Sequence, residues 1–88
     1  MPEIARVGAI VIRIYADDTR KHRKPHFHAV GPDCEAVISL PELDVIAGRL
    51  GVGDYARVLA VAEQMRGRLI EVWNRLNPAV PVLPPDRP

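Results

Sequence analysis

Pro25-His26-Phe27-His28-Ala29-Val30-Gly31-Pro32-Asp33-Cys34-Glu35-Ala36-Val37-Ile38-Ser39-Leu40 decides how this chain folds. Two runs of strand-forming character flank Gly31-Pro32-Asp33, residue types that favour a turn over a ladder. The spacing predicts a β-hairpin with strands over residues 26–30 and 34–40. An even-numbered connection sets Phe27 across from Ile38 and Ala29 across from Ala36, which gathers apolar side chains on one face. His26, His28 and Val30 then share the other face with Ser39, Val37 and Glu35. A slip of one residue would lay both imidazoles on the apolar row instead. The first register is favoured because it keeps two polar rings out of the core.

On the N-terminal side, residues 9–15 (Ala-Ile-Val-Ile-Arg-Ile-Tyr) form a β-branched run that reads as a strand. Ile10, Ile12 and Ile14 point to the core, and Val11, Arg13 and Tyr15 point away from it. Gly8 provides a joint, and the residues before it offer a short edge strand. Asp17-Asp18-Thr19 ends the strand, and a wholly polar excursion continues through Lys24. Pro25 holds Lys24 extended and suits the start of the next strand.

Beyond the hairpin, Pro41-Glu42-Leu43-Asp44 makes a turn and residues 45–50 a short strand. Asp54 is the expected N-cap of a single helix over 55–76. Tyr55, Val58, Leu59, Ala62, Met65, Leu69, Val72, Trp73 and Leu76 trace one apolar stripe at helical spacing. Arg57, Gln64, Arg68, Glu71 and Arg75 occupy the opposite side, and Asn77-Pro78 stops the helix. Residues 78–88 contain five prolines and are expected to be extended and loose. The expected architecture is α+β: an antiparallel β-meander of about four strands, with one long C-terminal amphipathic helix packed on one face. Residues 1–77 make a single domain and 78–88 its tail. The second sheet face is left open for a ligand or a partner.

With 88 residues, one domain is the reasonable count. A chain 48% hydrophobic and 26% charged is an ordinary globular domain, which excludes a disordered one. No apolar run approaches the ~18 residues a membrane span requires. Glu3, Arg6 and Arg13 interrupt the stretch where a signal-peptide core would lie. No membrane association and a cytoplasmic location are therefore expected. The single cysteine, Cys34, excludes an internal disulfide and a thiolate-rich zinc site, and reads as a small buried hydrophobe.

A net charge of +1 does not mark a nucleic-acid binder, but its distribution is uneven. Residues 1–28 carry six Lys and Arg against three acids, and 30–54 one Arg against five acids. Arg20, Lys21, Arg23 and Lys24 form the densest basic cluster, which can attract phosphate groups locally.

That cluster adjoins all three histidines, His22, His26 and His28. Residues i and i+2 of a strand point the same way, so His26 and His28 can converge on one object. One candidate is a divalent metal, held by both imidazoles with a third ligand from Glu35, Asp17, Asp18 or His22. Another is metal-independent RNA cleavage. One imidazole would then take the 2′-hydroxyl proton and the other protonate the leaving oxygen, with Arg23, Lys24, Arg13 and Tyr15 stabilising the charge. A structural role, satisfying backbone carbonyls or carboxylates, competes with both.

The start Met-Pro-Glu-Ile, the run from Gly8 to Tyr15, the motif Pro25-His26-Phe27-His28-Ala29, the run Glu35-Ala36-Val37-Ile38 and the final helix with Trp73 resemble a bacterial family of small domains of unknown function. Pro-His-Phe-His is the most specific part of the resemblance, and the basic loop before it departs from the family pattern, with His22 inside the departure. Members are often encoded beside a second small domain, and a toxin–antitoxin role has been suspected for such pairs. The resemblance implies a protein partner from the same operon, with RNA as a second ligand class. The leading expectation is a binding component whose His-bearing face meets that partner: Arg13, Tyr15, Arg20, Lys21, Arg23, Lys24 and Glu35 would bind, and His26 and His28 would act. Self-association through Val11, Val30 and Val37 is another use of the same face.

Overall fold

The computed structural model describes residues 3–16, 19–20 and 23–83. Five strands form one antiparallel sheet in chain order: β1 (Glu3–Val7), β2 (Ile10–Arg13), β3 (His26–Val30), β4 (Glu35–Ser39) and β5 (Val45–Gly48). The fold is α+β as expected, with the N-terminal residues completing a fifth strand rather than stopping at about four. Two-residue hairpins need unusual backbone angles, and Gly8 supplies them with φ 61° between the paired Val7 and Ile10.

The β3–β4 register matches the expected one. Phe27 lies opposite Ile38 and Ala29 opposite Ala36, while His26, His28 and Val30 face Ser39, Val37 and Glu35. Ile10, Ile12, Ile14, Phe27, Ala29, Ala36, Ile38 and Leu40 are buried together beneath the helices. At about 25 cal/mol per Å² of apolar area removed from water, this layer is the main source of stability.

The single long helix of the sequence reading is two helices, α1 (Val52–Gln64) and α2 (Arg66–Leu76). Met65 leaves helical angles at φ −104°, ψ 11°, and its N–H bonds both Val61 O and Ala62 O. Its carbonyl accepts from Leu69 N–H at 2.8 Å, so the break loses little backbone bonding. On either side of the break the helices meet different strands, α1 packing on β1 and α2 on β3. The apolar stripe survives it, burying Val58 and Ala62 on α1 and Leu69, Val72 and Trp73 on α2. Gly51 occupies the expected capping place of Asp54, which instead sits in the first turn, bonded to Arg57 at 2.6 Å. Its carboxylate there complements the positive helix end.

Three further expectations change. Cys34 is half-buried rather than buried, because it lies in the β3–β4 connection outside the ladder. The second sheet face is only partly open: Val37 is 7% exposed and Ser39 is fully buried, whereas Val11, Arg13, His28 and Val30 are partly exposed and Glu35 is exposed. The tail is not loose as far as Leu83. Trp73 Nε1 donates to Val80 O at 2.7 Å, and the Asn74 side chain bonds both Val82 N (2.7 Å) and Val82 O (3.2 Å).

β5 is a sheet edge, with Val45 and Ile46 exposed. Its four-residue length and the left-handed turn at Gly48, φ 69°, cut the ladder short of the expected residue 50.

Candidate functional site

Strand alternation places His26 and His28 on the same side of β3. β2 runs beside it with Arg13 directly across from His28. Two residues further along, the Tyr15 ring stands edge-on to His28, centroids 4.7 Å apart and planes at 80°. His28 and His26 are 5.2 Å apart, and His26 lies 5.0 Å from Trp73 of α2. The four rings form one row, Tyr15-His28-His26-Trp73. Asn77, just past α2, ties the row's far end to the helix by donating from Nδ2 to Tyr15 O at 2.9 Å.

Both imidazoles are held at the same nitrogen. His26 Nδ1 lies 2.6 Å from Lys24 O. A carbonyl only accepts, so Nδ1 carries the proton and, in the neutral ring, Nε2 carries the lone pair. His28 Nδ1 lies 2.7 Å from Glu35 Oε2, which assigns the same tautomer. Glu35 reaches it diagonally, because His28 is opposite Val37 and Glu35 is two residues along β4.

Exposure separates the two rings. His26 is fully buried, whereas the His28 side chain keeps 13% of its surface and Glu35 49%. The register was expected to spare the core both rings, yet His26 is enclosed at the strand end by Trp73. His28, with a carboxylate at Nδ1 and Arg13 alongside, has the parts of an oriented base or a surface anchor.

The remaining expected residues divide. Arg20, Arg23 and Lys24 are exposed, but Lys24 Nζ is engaged with Glu42 Oε2 at 2.9 Å. Asp17, Asp18, Lys21 and His22 lie outside the described residues. Among the described residues, no group of three His, Cys, Asp or Glu is placed to hold a metal. Arg13, Tyr15, His26, His28 and Glu35 are brought together, and the basic cluster is not shown to join them. Trp73 and Asn77 are parts of the site that the sequence reading missed. Trp73 signalled only a helix stripe and Asn77 only a helix stop.

The Lys24 ammonium, through its hydrogen bond, holds the Glu42 carboxyl below its ordinary 4.5. A depressed carboxyl contributes stability above its unfolded value and loses it as pH falls through the folded one. Both partners are nearly half exposed, so Lys24→Ala should cost less than about 1 kcal/mol at neutral pH. That difference should vanish in urea titrations on the acid side of the carboxylate range.

A small α+β domain with a histidine row at one end of its sheet is the class this geometry defines. The model of a family described as a domain of unknown function, DUF4160, matches residues 9–74, and the chain belongs to that family. The match covers β2 to α2, including every residue of the ring row. No curated protein and no solved structure matches the chain. Among the described residues no helix is long and apolar enough to cross a membrane.

Proposed function

We propose that the chain is the binding component of a two-protein, toxin–antitoxin-like module in the cytoplasm, meeting a protein partner through the face that carries His28. The observation that carries this reading is the complete burial of His26. A ring closed in by Trp73, with Nδ1 on the Lys24 carbonyl, is a poor proton shuttle and a good strut. It supports a rim in which Arg13, Tyr15, His28 and Val30 are partly buried and Glu35 is exposed. Tyr and Arg beside a small apolar patch are the residue types that anchor interfaces.

Co-expression with the protein encoded beside this one, followed by size-exclusion chromatography, tests the proposal. A complex is expected, and Arg13→Ala with Tyr15→Ala should weaken it at least about tenfold, since such anchors each contribute ~1–2 kcal/mol. Separate elution of the two native proteins would sink the reading.

A second reading draws on the His28–Glu35 pair, a carboxylate-oriented imidazole beside Arg13. It makes the chain a metal-independent ribonuclease-like toxin with His28 as base rather than the pair His26 and His28. Growth arrest on induction, with RNA cleavage lost in His28→Ala, would favour it. A divalent-metal module would use the imidazoles of His26 and His28, with a third ligand from Asp17, Asp18 or His22. Metal retained through purification and lost in His28→Ala would favour that alternative.

A further inference from the structure

Two adjacent side chains of α2, Trp73 and Asn74, hold the backbone of residues 80 and 82. The Asn74 amide donates to Val82 O and accepts from Val82 N–H, pairing with the backbone of one residue on both sides. Trp73 Nε1 donates to Val80 O. Val80 and Val82 are half-buried, Val82 against the core, while Pro81 and Leu83 are exposed. Main-chain bonds give a peptide affinity whatever its sequence, and aromatic side chains are what proteins use to dock proline-containing segments. These bonds read the backbone and two small apolar side chains. They do not require that the segment belong to the same chain. The family match ends at residue 74, so it contains Trp73 and Asn74 but not the segment they hold.

From this we infer that the surface of α2 around Trp73 and Asn74 is a binding groove for a proline-containing peptide of a partner protein. The chain's own Val80-Pro81-Val82 is its resident occupant. The inference rests on the tail contacts and stands apart from the reading of the histidine face. A cis segment competes at the effective concentration of a short tether, so an outside peptide binds the native chain more weakly than its intrinsic affinity allows. The groove also touches the ring row, because Trp73 contacts His26 with one part of its indole and holds Val80 with another.

The test uses the full chain carrying Val80→Asp and Val82→Pro. These place a charge on one inward side chain and remove the N–H that reaches Asn74. The probe is a labelled, end-capped peptide with the sequence of residues 79–83, read by fluorescence anisotropy. Saturable binding to this tail variant is expected, at least tenfold weaker to the native chain, and lost when Asn74→Ala is added. No saturable binding to a cooperatively melting tail variant overturns the inference, as does equal binding of a scrambled peptide. Concentration-dependent dimers of the native chain, absent in the tail variant, would assign the groove to a second copy's tail and overturn its assignment to a partner. If the tail variant does not fold, hydrogen exchange of the native chain decides. The Val82 amide should exchange faster than the Phe27 amide through local opening, and exchange of both only by global unfolding overturns the inference.

Discussion

Gly48→Ala is expected to remove a large part of the stability of this domain. Gly48 lies opposite Ala36 with φ 69°, where an L side chain is disfavoured by ~1–2 kcal/mol before any contact is counted. A Cβ there would also overlap the Glu35 carbonyl oxygen and lie 3.2 Å from the Ala36 Cα. Both obstacles are backbone, so no rotamer relieves them. β5 would have to part from β4, losing the Arg49 N–H bond to Glu35 O. A loss of about 3 kcal/mol or more follows, against the ~5–10 kcal/mol expected of a domain this size. The melting temperature should fall by at least ~12 °C, at about 4–8 °C per kcal/mol. Gly67→Ala is the control of opposite sign. Nothing lies within 4 Å of its Cβ position, it is helical, and a gain of ~0.5 kcal/mol is expected. Equal melting of Gly48→Ala and the native chain would show that the β4–β5 approach is not as close as described. Because the obstructing carbonyl belongs to Glu35, the same substitution should disturb the Glu35–His28 bond.

The two histidines should respond to alanine to very different extents. His26→Ala removes a fully enclosed ring, opens a cavity against Trp73 and strands the Lys24 carbonyl. Cavity and orphaned acceptor together predict a loss of about 3 kcal/mol. His28→Ala frees the Glu35 carboxylate, which is half exposed and regains water, so about 1 kcal/mol is expected. Urea midpoints of the two variants give the comparison directly. In association with the proposed partner the order should reverse. His28→Ala should weaken it in a chain that still folds, and His26→Ala should act only through the loss of folded protein. The same midpoint for both would contradict the division into strut and rim.

That division was only half legible in the sequence. Alternation of Phe27 and Ala29 against Ala36 and Ile38 is local information, and it set the hairpin register and the shared face of His26, His28 and Glu35. The burial of His26 comes from Trp73, 47 positions away, and no pattern near His26 announces it. The helix break at Met65 was hidden for a related reason. Apolar spacing continues across it without proline, and the two halves pack on different strands, β1 and β3. The N-terminal strand was visible as an edge but short of apolar signal, and its partner β2 completes it. In the tail, proline content suggested an extended backbone, but residues 78–80 turn, with Val80 N–H on Asn77 O, and Asn74, which holds Val82, looks in sequence like any polar position on a helix. Local patterning thus carried the sheet, and long-range contacts decided how the site is closed.

Trp73 is the chain's single tryptophan, and it sits where the ring row meets the tail. The molecule therefore carries its own optical reporter. Departure of the Val80 carbonyl would alter the polarity felt by the indole, and displacement of His26 would alter its near neighbour, so emission wavelength and intensity can be followed in unlabelled, unmodified protein. A titrant that acts at either place would be seen by the same chromophore, with no second tryptophan to confuse the signal.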